Sequence, residues 1–276
     1  MPDPRFLLTL PGVPRQLISR LAGRIARLKL PRKLRTRLWL KLAGSLGIDP
    51  KTLPADPGDF SSFLEFFCRP LPEGSRPLPA GDSWLSPSDG LLVEDTSFNP
   101  EGSFLIKGCP YSVQELLPGI DPSKLSGYRA LQIYLAPRDY HRYHAPCDLT
   151  VTGAHSFPGD LQPVNPSLTR RSLRVLASNR RILLHCKDDS GQWFGMTMVG
   201  ALNVGQMRFN FDPSLGLAPI APGHRDYDPR PQLNRGEELG RFEFGSTVLM
   251  FVPPKLSPTI KLGDSCLARQ ELLKLK

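Results

Sequence analysis

Two of the chain's five histidines, His141 and His144, lie three residues apart in the string Ala136-Pro137-Arg138-Asp139-Tyr140-His141-Arg142-Tyr143-His144-Ala145-Pro146. A close histidine pair suits either a metal site or acid–base chemistry. No Cys or third His stands near them at a recognisable ligand spacing, so no metal is expected there. An imidazole acting as a general base needs a partner to orient it, and the candidate carboxylate for His144 is Asp89, in the turn Ser86-Pro87-Ser88-Asp89-Gly90. The candidate nucleophile is Ser246, in Phe242-Glu243-Phe244-Gly245-Ser246-Thr247-Val248, where a glycine precedes it and an apolar run follows. This is not the Gly-x-Ser-x-Gly elbow of the α/β-hydrolases. Taken singly, Asp-Gly and Gly-Ser are ordinary turn sequences. The loops at 157–161, 163–165 and 199–201 could set backbone beside a pocket or be plain hairpin turns.

Short strands must position these residues. The 131–135, 181–186, 194–199 and 247–252 runs are apolar or alternating and are bounded by Gly, Pro or charge. With 30 prolines and 24 glycines, the chain fits strands and tight turns better than a helical bundle. The expected fold class is α+β: a mostly β body with N-terminal amphipathic membrane-associating helices. Leu17, Ile18, Leu21, Ile25 and Leu28 recur at helical spacing over 15–29. Pro31 then opens a second helix to about Ala43, with Leu34, Leu38 and Leu42 on one side, Trp39 near its middle, and Gly44 and Gly47 at its end. A short helix is expected near 60–67. The division is residues 1–48 as a basic helical region and 49–276 as the catalytic domain.

The charge is concentrated in that lead. The net formal charge is +9, yet residues 1–48 hold eleven Lys and Arg against the single acid Asp3, which leaves the rest near neutral. Such a segment seeks an anionic surface. Each basic side chain at an anionic leaflet is worth about 1 kcal/mol. Half of them together would exceed the ~4.1 kcal/mol of a millimolar contact. Basic residues among leucines, with Trp39 suited to an interface, favour lipid over nucleic acid, although a helical hairpin packed on the core is the plainer alternative. Five scattered cysteines without a CxxC pair imply reduced thiols in a cytoplasmic protein. The uncharged stretch Ser190–Met207 is interrupted by Gly191, Gly195, Gly200 and Gly205 and carries Gln192, Asn203 and Gln206, which suits strands with turns rather than a spanning helix.

Together the motifs resemble the phosphatidylserine decarboxylase family, bacterial type. The resemblance runs from the basic lead through Phe66-Phe67-Cys68-Arg69-Pro70-Leu71, Asp89-Gly90, Lys107-Gly108 with Tyr111-Ser112, Asp139-Tyr140-His141-Arg142-Tyr143-His144 and Pro158-Gly159 to Gly245-Ser246-Thr247. Phe244 stands where bacterial members commonly carry Leu. The resemblance implies a pyruvoyl-dependent enzyme made as a proenzyme. Asp89, His144 and Ser246 would form the autocleavage triad. Cutting between Gly245 and Ser246 would give a β chain, 1–245, and an α chain, 246–276. Ser246 would become the covalent pyruvoyl cofactor and form a Schiff base with phosphatidylserine, and His141 is the candidate proton donor on the way to phosphatidylethanolamine. It further implies a homodimer held peripherally at the cytoplasmic face of the cell membrane. Two other readings of the same residues are a Ser-His-Asp esterase or protease that keeps its serine, and a non-catalytic anionic-lipid-binding relative.

Overall fold

The computed structural model describes residues 14–165, 174–202, 206–217, 219–243 and 246–276. Its centre is a nine-stranded antiparallel sheet. The path runs Gly223–Asp226, Leu149–Phe157, Arg181–Asp188, Trp193–Gly200, Ser246–Val252, Arg129–Leu135, Gly90–Ser97, Ser265–Cys266, and Gln232–Leu233 also pairs with Leu149–Phe157. The expected strand runs all fall inside strands of this sheet.

The strand Ser246–Val252 lies in the interior of the sheet. Ser246 pairs with Leu135 on one side and with Gly200 on the other. Its uninterrupted apolar sequence follows from burial on both faces. Val248, Met250 and Val252 enter one core with Leu92, Ile133 and Met198. Leu249 and Phe251 enter a second core on the opposite face with Phe104, Leu116 and Leu125.

Among the described residues there are five α-helices, of which the first three bear on the site: α1 (Arg15–Ala26), α2 (Arg32–Leu46) and α3 (Phe63–Phe67). Pro31 is the residue that caps α2, and Gly47 ends it in the left-handed conformation, φ 71°, that glycine adopts without strain. Helix α1 inverts the usual amphipathic arrangement. The small residues Ser19, Gly23 and Ala26 face the body, while Leu17, Leu21, Ile25 and Leu28 remain 57–62% exposed. Trp39 does not lie at an exposed interface as its sequence context suggested. It is 1% exposed, stacks on Phe66 with centroids 5.8 Å apart, and its indole N–H donates to the Phe60 carbonyl at 3.1 Å. A buried indole with its one donor satisfied is a packing anchor.

Part of the basic lead is also committed to the body. The Arg15 guanidinium donates to both oxygens of Asp160, with Nε at 3.0 and 3.1 Å. Arg27 pairs with Glu243, and Arg32 with Asp56 and Asp59. Arg20, Arg24, Lys33, Arg37 and Lys41 make no ion pair among the described residues. All five cysteines are free and buried.

Candidate active site

Helix α3 joins the N-terminal helices to the site. The Ser62 hydroxyl caps it by accepting from the Glu65 N–H. Phe66 then points to Trp39, and the ring of Phe67 lies 4.1 Å, centroid to centroid, from the imidazole of His141. His141 itself follows the strand Arg129–Leu135 through a tight turn, in which the Asp139 carboxylate accepts from the Ala136 N–H at 2.7 Å. The Asp139 carbonyl accepts from His141 Nδ1–H, also at 2.7 Å, so Nε2 carries the lone pair. That Nε2 is buried and has no hydrogen-bond partner among the described residues. Burial drives the His141 pKa down to about 3, helped by the nearby Arg69 charge and opposed by the bond to Asp139.

His144 ends the next strand, Arg142–His144. Its backbone N–H donates to the Pro87 carbonyl at 2.7 Å, which fixes it against the turn carrying Asp89. Its ring is held by residues the sequence did not single out. Nδ1–H donates to the Gly236 carbonyl at 2.9 Å, and the Tyr140 hydroxyl lies 3.0 Å from Nε2. Since Nδ1 donates, Nε2 is the basic nitrogen and accepts from the phenol. Burial lowers the His144 pKa and raises that of Tyr140, so both groups are held neutral.

The direct Asp89–His144 hydrogen bond expected from sequence is not made. Asp89 instead accepts from Arg76, at 2.8 Å on Oδ2, and from the Ala268 N–H at 2.7 Å. The Arg76 guanidinium in turn sits over the Tyr140 ring, 5.7 Å from its centroid. Asp89 therefore reaches His144 through Arg76 and Tyr140. Gly90 is required beside it: with φ 152°, an added Cβ would fall 2.4 Å from the Tyr134 carbonyl oxygen. Arg76, Tyr140 and Gly236 were missed for distinct reasons. Arg76 sits in a Pro-rich connection, Gly236 acts through a carbonyl 92 positions from His144, and Tyr140 was visible only as part of the histidine string.

Gly245 and the side chain of Ser246 lie outside the described residues. The segment leading to them is tied to the histidines, because Phe242 N–H donates to the His141 carbonyl at 2.9 Å. Buried Glu243, the next residue, binds both Arg27 and Arg208. Ser246, on the far side of the bond, is paired to Leu135, where the turn to His141 begins.

The His141 shift sets the sign of a pH effect. Its folded value lies below the ordinary 6.5, so the unfolded chain binds the extra proton first as pH falls. Stability present above pH 6.5 is then lost progressively toward pH 3. Between pH 6.5 and 5 the loss from this group is about 2 kcal/mol. Urea unfolding at pH 7 and pH 5 should show a fall that His141→Gln reduces by about that amount, and an equal fall in both proteins would show that His141 is not the group responsible.

The family model described as phosphatidylserine decarboxylase matches residues 63–274. A phosphatidylserine decarboxylase proenzyme of Anaeromyxobacter sp. (strain K) is 34% identical over 275 residues, covering 95% of this chain and 96% of the relative. Proteins of the same name from Helicobacter pylori strain J99 and Halorhodospira halophila are 34% identical over 257 residues and 36% over 245, covering 90% and 87% of this chain. This chain belongs to the phosphatidylserine decarboxylase family.

Proposed function

We propose that this chain is a precursor that cuts itself between Gly245 and Ser246, and that the resulting two-chain enzyme decarboxylates phosphatidylserine to phosphatidylethanolamine. The observation that carries the reading is the state of the two histidines. Both are buried and neutral, each has its Nδ1 proton committed to a carbonyl, and each keeps Nε2 as a lone pair.

In the first reaction the Ser246 hydroxyl attacks the Gly245 carbonyl carbon, and the amide becomes an ester. A serine hydroxyl needs a base to take its proton, and His144 Nε2 is that base once Tyr140 releases it. Asp89 is a positioning residue here: it holds Arg76 against the Tyr140 ring, and Tyr140 holds the imidazole. β-Elimination breaks the ester, frees the chain that ends in the Gly245 carboxylate and leaves a dehydroalanine at position 246, whose imine tautomer takes up water and releases ammonia to give the ketone. A pyruvoyl group at position 246, derived from Ser246, would supply the electron-withdrawing carbonyl that accepts the electron pair left when CO2 departs.

That carbon then needs a proton, and His141 is the candidate donor. Its Nδ1 proton is held by the Asp139 carbonyl, so Nε2 must first take one up. The anionic headgroup favours that uptake, because a negative charge alongside raises imidazole basicity. An esterase reading has less support, since Asp89 is bonded to Arg76 rather than to His144.

The lipid reaches this site through the helices. A cavity of about 660 Å³ lies between α1, α2 and α3, lined among others by Ile25, Leu28, Leu38, Leu42 and Phe67. Phe67 is the residue whose ring packs, tilted, against His141, so an acyl chain in the cavity would bring its headgroup to the imidazole. Among the described residues no helix is long and apolar enough to cross a membrane. The exposed leucine stripe of α1 and the unpaired basic residues support helices that lie on an anionic leaflet. Residues 1–48 are then the membrane-associating region and 49–276 the catalytic domain, on the cytoplasmic face. The same reading includes a homodimer, which sedimentation velocity checks.

Denaturing gels and release of labelled CO2 test the chemistry. Ser246→Ala should remain a single chain without activity. His144→Ala and Asp89→Asn should cut slowly, the latter less severely. His141→Gln should cut normally yet decarboxylate at least about 100-fold more slowly. Lipid turnover by Ser246→Ala would defeat the proposal. For the surface, Leu21→Asp with Ile25→Asp should lose flotation with phosphatidylserine-containing vesicles while still cutting; unchanged flotation would place the membrane contact elsewhere.

A further inference from the structure

The three histidines that the decarboxylation leaves unused meet at one edge of the main sheet. His155, His185 and His224 come from the neighbouring strands Leu149–Phe157, Arg181–Asp188 and Gly223–Asp226. His224 pairs directly with His155. His155 pairs with Leu183, and His185 lies two residues further on, so the period-2 alternation puts its side chain on the same face. One nitrogen from each ring lies within 4.8 Å of the other two. His155 Nδ1 is 2.8 Å from His185 Nε2 and 3.2 Å from His224 Nδ1.

Neutral rings cannot satisfy these contacts. Trp193 Nε1–H donates to His185 Nδ1 at 3.3 Å, which puts the His185 proton on Nε2. That proton points at His155 Nδ1, which must accept it. His224 Nε2 lies 2.9 Å from the Asp226 carboxylate, so the His224 proton is on Nε2 and its Nδ1 is a lone pair. Two lone pairs then face each other at 3.2 Å. A positive charge between the rings removes the conflict.

We propose that His155, His185 and His224 bind a divalent transition-metal cation of the imidazole-preferring kind, zinc foremost, and that this ion fastens the edge strand Gly223–Asp226 to the sheet. Three imidazoles with a fourth position open to water is an ordinary zinc ligand set. At bond lengths of about 2.0–2.1 Å, ligand nitrogens around a tetrahedral ion sit roughly 3.3 Å apart. Exposed His224 can make the adjustment. Asp226 already fixes the His224 tautomer that offers Nδ1, in the manner of an outer carboxylate. Coordination through His185 Nε2 moves its proton to Nδ1 and gives up the Trp193 contact. The site is separate from the cleavage bond. Along Trp193–Gly200, Gly195 opposes His185 and Gly200 opposes Ser246, roughly 17 Å apart at about 3.3 Å per residue. The strand it would fasten is exposed along its whole length and lies at the edge of the sheet.

Cobalt(II) is the probe, added to tag-free full-length protein stripped with EDTA and dialysed. The expected result is one ion per chain, visible bands of four-coordinate cobalt without a thiolate charge-transfer band, and a rise in Tm when zinc replaces cobalt. His224→Ala, an exposed position, should fold and cut as the wild type does but lose both the bands and the Tm rise, and His155→Ala should lose the bands too. Trp193→Phe should bind at least as tightly as the wild type. Absence of the bands, a thiolate spectrum, or bands that survive His224→Ala would overturn the proposal; a Tm insensitive to zinc would instead assign the positive charge to a proton shared with Asp226.

Discussion

The strand Ser246–Val252 is hydrogen-bonded along both edges and buried on both faces, and the rest of the candidate site is arranged around its first residue. A bond entering such a strand is held between a fixed downstream side and an upstream segment tethered through Phe242 and Glu243. The same constraint explains how the short α chain could persist after cutting. Residues 246–276 contribute not only the interior strand but also Leu256–Pro258, Ser265–Cys266 and Glu271–Leu275, each paired within a sheet. Core burial and ladder hydrogen bonds, not the peptide link into residue 246, would hold that fragment in place after the proposed cut.

Burial also sets the chemistry of the histidines. Removing an imidazole from water disfavours its charged form, and neither His141 nor His144 has a carboxylate bonded to its ring to offset this. Carbonyl partners fix the tautomer without adding charge, which leaves Nε2 basic in each case. The buried carboxylate of Asp89 is spent on Arg76 and the Ala268 amide. Its influence on His144 runs through an arginine–tyrosine contact, so Asp89 acts on position more than on charge.

What was legible in the sequence was local. The apolar runs around 131–135, 181–186, 194–199 and 247–252 name strands because a residue buried on both faces must be apolar whatever its partner. Gly47 marked a helix end for the same local reason. Trp39 misled, because an indole among basic residues looks the same whether its ring meets lipid or Phe66. The apolar stripe of α1 was visible, but not that its small-residue face, rather than its leucine face, packs on the body. The site divided likewise: Asp89, His141, His144 and Ser246 could be picked out as candidates, whereas the Arg76–Tyr140 link and the Gly236 carbonyl depend on tertiary placement. The imidazole cluster left no trace, since its members are 30 and 39 positions apart and meet only through strand register.

The central claim is that this polypeptide breaks its own backbone between Gly245 and Ser246. Intact-mass measurement of the purified wild-type protein under denaturing conditions addresses it directly. The account predicts two species, one matching residues 1–245 and one matching 246–276 with its first residue lighter than serine by the mass lost in forming a pyruvoyl group. A single unbroken species of 30.7 kDa that still releases CO2 from phosphatidylserine would contradict it.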